Sequence, residues 1–206
     1  LFRCNYANVQ SHCGTTANFA VYHALLDDGD TILGMDMMSG GHLSHGARRT
    51  QAYKRYCIST YGVDQHGYLD YDDIERIAKQ CRPRIIIAGA SSYPRRIDWK
   101  RFKQIADQVN AVFVADICHY AGLIVGGVYP SPFPHADIVT ATTNKTLRGP
   151  RGAIILWNNN NYTAQINNAV YPGQQGSPMI NVIAAKAQCF HEALDASFNH
   201  YAQNFL

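Results

Sequence analysis

The sequence predicts an α/β domain built on a mostly parallel, mixed sheet, and three observations lead there. From Thr31 onward, short apolar runs alternate with segments of helical periodicity. The run Arg84-Ile85-Ile86-Ile87-Ala88-Gly89-Ala90 is apolar once past its first residue, as a strand must be when helices cover both of its faces. Residues 84–116 then read strand, helix, strand, which is the unit of a doubly wound sheet.

Taken in order, Ser11-His12-Cys13-Gly14-Thr15-Thr16-Ala17-Asn18 opens an amphipathic run through Leu26. A small-residue turn entering a helix exposes N–H groups to an anion, and the hydroxyls of Thr15 and Thr16 can add donors; a plain N-cap is the competing reading. Residues 27–30 form a turn and 31–35 a strand. The paired glycines of Ser39-Gly40-Gly41-His42-Leu43-Ser44-His45-Gly46 let the backbone approach a ligand closely. Residues 53–61 read as a strand, 63–70 as a polar connection, and 71–81 as a helix through Ile74, Ile77 and Ala78. Ser91 sits at the end of the 84–90 strand, where turn chemistry alone would explain it. A helix over 98–109, with Phe102, Ile105 and Ala106 on one face, returns the chain to a strand over 111–116 that ends in Asp116. The prolines of 130–134 make a rigid turn. Strands follow at 138–143 and 153–157, then a polar loop of asparagines at 158–161. From Met179 the apolar spacing through Leu194 predicts one long amphipathic helix.

Bulk properties narrow the function classes. At 206 residues, 47% hydrophobic and 16% charged, the chain supports one sizeable core. A net charge of +3 with scattered cations gives no nucleic-acid stripe, so Arg148 and Arg151 read as ligands for a small anion. Six cysteines without a CxxC pair or zinc spacing point to reduced thiols in the cytoplasm or an organelle, and to no metal. No apolar run reaches membrane-spanning length, and no charged-then-apolar leader pattern opens the chain.

The chemistry concentrates at Lys145. Its strand delivers it to the sheet edge just before a Gly-Pro turn, with Arg148 and Arg151 close behind. Open α/β sheets carry their chemistry at such strand ends, and neighbouring cations favour the free amine that attacks carbonyls. Asp116 ends an earlier strand and stands beside the lysine if the two strands are neighbours. A lysine that forms a Schiff base and a carboxylate that partners a ring nitrogen together suit a pyridoxal phosphate site.

Tyr6-Ala7-Asn8-Val9-Gln10, the 40–46 glycine-histidine segment and Thr142-Thr143-Asn144-Lys145-Thr146-Leu147-Arg148-Gly149-Pro150-Arg151-Gly152 together resemble serine hydroxymethyltransferase. The resemblance implies a three-layer α/β/α large domain of the fold-type I pyridoxal phosphate transferases. It implies transfer of a one-carbon unit between serine and tetrahydrofolate, leaving glycine. Lys145 would hold pyridoxal 5'-phosphate as a Schiff base, Asp116 would keep its ring nitrogen protonated, and His42 would stack on the ring. Cys13, Gly14 and Thr15 would bind the phosphate, with Ser91, His119, Thr142 and Arg151 lining the site. Gly176 and Ser177 would reach across a homodimer to the partner's phosphate, while Met37, Gly41 and Leu43 would border the folate. Five positions depart from the pattern the resemblance implies: Cys13 and Thr15 replace usual serines, Ser177 a usual glycine, and Ser39 and Asn144 usual histidines.

The same resemblance makes residues 1–206 the large-domain portion of a longer chain. The acidic residue that manages substrate protons and the tyrosines given across the dimer would lie upstream, and the arginine that grips the substrate carboxylate downstream. Cofactor binding with little turnover is therefore expected of these residues alone. Two rival readings stay open: another lysine-dependent pyridoxal phosphate enzyme of threonine aldolase or aminotransferase type, and a truncated, non-catalytic dimerisation or binding module.

Overall fold

The computed structural model describes residues 1–205. Seven strands form one mixed sheet: β1 (Tyr6–Asn8), β2 (Thr31–Met35), β3 (Cys57–Tyr61), β4 (Ile85–Ala88), β5 (Val112–Asp116), β6 (Ile138–Thr142) and β7 (Ala153–Trp157). Their spatial order is β1-β7-β6-β5-β4-β2-β3. The five strands from β6 to β3 pair in parallel, and β7 runs antiparallel to both of its neighbours. The predicted fold class is the observed one.

Alternation along the strands explains why their sequences are apolar throughout. In β4, Ile86 and Ala88 face one core and Ile85 and Ile87 the other, as the two-residue period of a strand requires. The first core is covered by α3 (Tyr71–Cys81), α4 (Trp99–Gln108) and α5 (Ala121–Val125). The second is covered by α1 (Gly14–Leu25) and α6 (Thr163–Asn168). Phe102 of α4 is fully buried and packs within 6 Å of the rings of Tyr61, Tyr71 and Phe113. Phe102→Ala is expected to cost about 3–5 kcal/mol, seen as a lower urea midpoint; an unchanged midpoint would show that this cluster does not hold the first core.

One sequence reading needs correction. Residues 53–61 are not one strand: α2 (Gln51–Arg55) precedes β3, because the Thr50 hydroxyl caps it by accepting from the Tyr53 N–H. The aromatic residues Tyr53 and Tyr56 imitate strand composition there. The helix predicted from Met179 through Leu194 is α7 (Ile180–Glu192), and a further helix, α8 (Ala196–Gln203), follows it, started by the Asp195 carboxylate, which accepts from the Ser197 N–H at 2.8 Å. Before α7, Ala169–Gln174 is a helical turn kinked at Tyr171. Short helical turns also occupy Met37–Ser39, Leu43–His45 and Asn160–Tyr162.

Candidate active site

The carboxyl ends of β5 and β6 and the first turn of α1 converge on a cleft of about 220 Å³. Its lining includes Cys13, Gly14 and Thr15 at the start of α1, Asp116, Cys118 and His119 from the end of β5, and Thr142, Asn144, Lys145 and Arg151 from the end of β6 and beyond; His42 and Ala90 complete the wall. β5 and β6 are paired neighbours, with Asp116 opposite Thr140. Two strand ends distant in sequence thus open into one space.

Close approach of α1 depends on one glycine. A Cβ at Gly14 would lie 2.9 Å from both the Cys118 Sγ and the Thr142 Cγ2, so only glycine lets the helix start seat on the strand ends. The first-turn N–H groups of α1 have no partner within the helix and carry the positive end of its dipole. Thr15 lines the cleft, but the Thr16 hydroxyl is engaged elsewhere: it accepts from the Cys13 N–H at 3.1 Å and donates to the Cys13 carbonyl at 2.9 Å. The expected second hydroxyl for an anion is therefore spent on the helix cap. Thr142 likewise donates its hydroxyl to the Cys118 carbonyl at 3.0 Å.

Asp116 is the buried anion of the cleft. Its Oδ2 accepts from Asn18 Nδ2 at 2.8 Å and from His45 Nε2 at 2.9 Å, and its Oδ1 accepts from the Cys118 N–H at 3.0 Å. Burial pushes this carboxyl up, but the bond and charge of His45, with the Cys118 and Asn18 donors, outweigh it and hold the group well below the usual carboxylate range. An ionised carboxylate has about four acceptor positions, and three are filled. One lone-pair direction is left for a ring N–H donor.

A hydrogen-bonded chain braces this arrangement from behind. Thr140 donates to Asn18 Oδ1 at 2.7 Å, Asn18 donates to Ser44 Oγ at 2.8 Å, and Ser44 Oγ meets His42 Nδ1 at 2.7 Å. Burial lowers the His42 pKa, with the charges of His45 and Lys145 acting in the same sense and Asp116 opposing. The ring is therefore neutral at neutral pH and can present an aromatic face.

Lys145 Nζ lies 2.8 Å from His119 Nε2. Burial, and then the lysine charge, lower the His119 pKa, so its Nε2 is an acceptor beside the amine. His119 thus serves the lysine, whereas Asp116 is held by His45 and Asn18. Neither of these last two is marked for that role in the sequence. Arg148 departs from the anion-ligand expectation: its guanidinium lies 4.0 Å from the ring centroid of Tyr201 and 5.2 Å from that of Phe198. Arg151 is the arginine that lines the cleft.

Other expected site residues lie apart. Ser91 follows the cleft-lining Ala90 and donates its N–H to the Gly40 carbonyl at 2.8 Å, but does not line the cleft itself. Met37 lines a second cleft of about 450 Å³ that shares His42 with the first, while Gly41 and Leu43 line neither. Gly176 and Ser177 are exposed and outside the cleft. Among the described residues, His42, His45 and Asp116 are grouped as closely as the ligands of a metal triad, but the direct His45–Asp116 bond fills the space between two of the three.

An amine beside a neutral imidazole, a shielded carboxylate with a free lone pair, and a helix start at the rim suit a pyridine aldehyde carrying an anionic tail. Comparison with known proteins bears on the same point: the family model for serine hydroxymethyltransferase matches residues 1–206. The chain belongs to the serine hydroxymethyltransferase family. Its similarity to a serine hydroxymethyltransferase of Rhodospirillum centenum is 54% identity over 98% of this chain and 48% of the relative. For the one from Helicobacter pylori the figures are 53%, 98% and 49%. For serine hydroxymethyltransferase 3 of Pseudomonas fluorescens they are 51%, 100% and 50%. The chain spans about half the length of the curated relatives it matches. No helix among the described residues is long and apolar enough to cross a membrane.

Proposed function

We propose that residues 1–206 form the cofactor-binding large domain of a serine hydroxymethyltransferase, which moves a one-carbon unit between serine and tetrahydrofolate and leaves glycine. The observation that carries this reading is the delivery of Lys145 and Asp116 into one cleft by adjacent parallel strands. Pyridoxal 5'-phosphate, when bound, supplies an aldehyde that condenses with amines and a ring that accepts the electrons of a bond breaking at the substrate α-carbon.

The chain's own residues then have distinct tasks. Lys145 offers the amine, and the neutral His119 beside it accepts a proton from Nζ and returns it. Asp116, kept ionised by its three donors, holds a proton at the ring nitrogen through its remaining lone pair. His42 would lie against the ring, and the first-turn amides of α1, with Thr15 and Arg151, would hold the phosphate. Cys13 and Thr142 line the same cleft, and Ser91, one residue beyond the cleft-lining Ala90, would support its wall. Gly176 and Ser177, exposed on this chain, fit the expectation that they serve the phosphate of a second subunit in a homodimer. Met37, with Gly41 and Leu43 near it in sequence, marks the side on which folate enters. A cytoplasmic setting accords with this reaction.

The test is a titration with pyridoxal phosphate followed by serine, with and without tetrahydrofolate. A visible absorption band that saturates near one cofactor per chain, with glycine formed slowly and only when tetrahydrofolate is present, is the expected result. Glycine formation independent of tetrahydrofolate would move the assignment to an aldolase, and absence of any visible band would move it to a non-catalytic module. Robust tetrahydrofolate-dependent turnover by these 206 residues alone would overturn the view that residues outside them complete the site.

A further inference from the structure

The segment linking β1 to α1, residues 9–13, forms the floor under the helix start. Its buried main-chain groups need partners, and its own side chains do not supply them: Gln10 Oε1, Ser11 Oγ and His12 Nε2 are buried without a hydrogen-bond partner among the described residues. Thr16 serves both main-chain groups of Cys13, Asn8 Oδ1 accepts the Gln10 N–H and the Ala153 N–H donates to the Ser11 carbonyl at 2.9 Å; the remaining partners come from two side chains distant in sequence. Lys186 of α7 donates from Nζ to the carbonyls of Val9 at 2.6 Å, Ser11 at 3.1 Å and Ala153 at 3.0 Å. Gln175 donates from Nε2 to the Gln10 carbonyl at 3.0 Å and accepts the His12 N–H at Oε1, 3.2 Å away.

Two features separate this arrangement from ordinary packing. Lys186 is only 2% exposed and has no acidic partner among the described residues, and burial pushes its ammonium down to about 8. Three carbonyls replace the water and counter-ion such a group normally keeps. Moreover, Lys186 and Gln175 hold opposite ends of one peptide unit, since the Ser11 carbonyl takes the ammonium and the adjoining His12 N–H takes the glutamine oxygen. Hydrogen bonds in series polarise one another, so the two side chains act on the segment together.

The same ammonium reaches the other wall of the cleft. Its bond to the Ala153 carbonyl lies two residues from Arg151, and a Cβ at the intervening Gly152 would collide with the Lys186 side chain. Together with the Ala153 N–H, which donates to the Ser11 carbonyl at 2.9 Å, Lys186 thus ties the start of α1 to the segment that carries Arg151.

We infer that Lys186 and Gln175 are positioning residues for the phosphate end of the cofactor cleft. They set the spacing of the Gly14–Thr15 turn and Arg151 without touching the ligand. The inference rests on the cofactor reading above, and it predicts an effect on the phosphate that spares the ring. The ring end is held separately: Asp116 and His42 by Asn18, Ser44 and His45, and Lys145 by His119.

The experiment compares the dissociation constants of pyridoxal phosphate and pyridoxal for the unaltered chain, Lys186→Met, Lys186→Arg and Gln175→Leu. The unaltered chain is expected to prefer the phosphorylated ligand. Lys186→Met is expected to cut that preference by about tenfold or more, the scale of one charged hydrogen bond, and Gln175→Leu, which loses two neutral bonds, by roughly threefold to tenfold, while pyridoxal affinity stays within about twofold. Lys186→Arg, which keeps charge and donors, retains more of the preference than Lys186→Met. An unchanged preference in the folded variants, or an equal weakening of both ligands, overturns the inference. If Lys186→Met fails to give a native circular dichroism spectrum, Gln175→Leu decides alone. An unaltered chain that shows no preference for the phosphorylated ligand, or binds neither, refutes the cofactor reading itself, which separates the two failures.

Discussion

Lys145→Ala abolishes covalent capture of pyridoxal phosphate while leaving the fold intact. Lys145 supplies the one primary amine among the residues lining the cleft; the other cationic side chain there, Arg151, carries a guanidinium that stays protonated and does not add to carbonyls. Lys145 Nζ is held by His119 and makes no contact that supports a core, so the circular dichroism spectrum and unfolding midpoint of the variant should match those of the parent. Lys145→Arg keeps the charge and is expected to fail in the same way, which separates loss of the nucleophile from loss of a cation. In a full-length relative carrying the same change, turnover should fall by at least roughly 10²–10⁴-fold, the scale for removing one positioned proton-transfer group. A variant that still yields a reduced covalent adduct would show that another amine does this work.

Asp116→Ala is expected to be the most destabilising single change in the cleft. It leaves His45 Nε2, Asn18 Nδ2 and the Cys118 N–H without an acceptor in a buried site. Breaking a buried, hydrogen-bonded charge in this way costs about 3–5 kcal/mol, a large share of the roughly 5–15 kcal/mol that holds a typical domain together. Asp116→Asn preserves the shape and one acceptor, and should cost about 1–3 kcal/mol. The pH dependence follows from the same cluster. The folded state holds the carboxyl below its unfolded value, so its contribution is complete above about pH 4 and is lost as the pH falls further. Urea midpoints between about pH 7 and about pH 3 should therefore fall more steeply for the parent than for Asp116→Asn. Parallel curves would mean that this carboxylate is not the acid-sensitive element.

The strand ends are legible in the sequence because their signal is local. A run of β-branched or aliphatic residues closed by a charged one marks both a strand and the edge from which its last side chain emerges. Asp116 and Lys145 declare themselves in that way, and strand pairing alone decides whether they meet. His45 carries no such mark. It lies 71 residues from the carboxylate it holds, and its segment reads equally well as a glycine-bounded turn. Lys186 is still harder to see, since a lysine in an amphipathic helix is normally solvated; only the fold brings Val9 and Ser11, 177 and 175 residues away, around its ammonium. The misread 53–61 segment has a different cause: tyrosines favour strands on average, but a threonine cap at Thr50 outweighs that preference over one short turn of helix.

The departures from the family pattern fall unevenly on the structure. Asn144, where the resemblance leads one to expect histidine, lines the cleft next to Lys145. Ser39 lies in the short helical turn Met37–Ser39, outside the cleft, and Ser177 is exposed. Neither alters the groups around Asp116 or Lys145.

Capture of the cofactor by one lysine against one buried carboxylate is checked by borohydride reduction of the chain saturated with pyridoxal phosphate, followed by peptide mapping. A single reduced pyridoxyl group on Lys145, lost in Lys145→Ala, is expected. Label spread over surface lysines, or placed on Lys186, would contradict it.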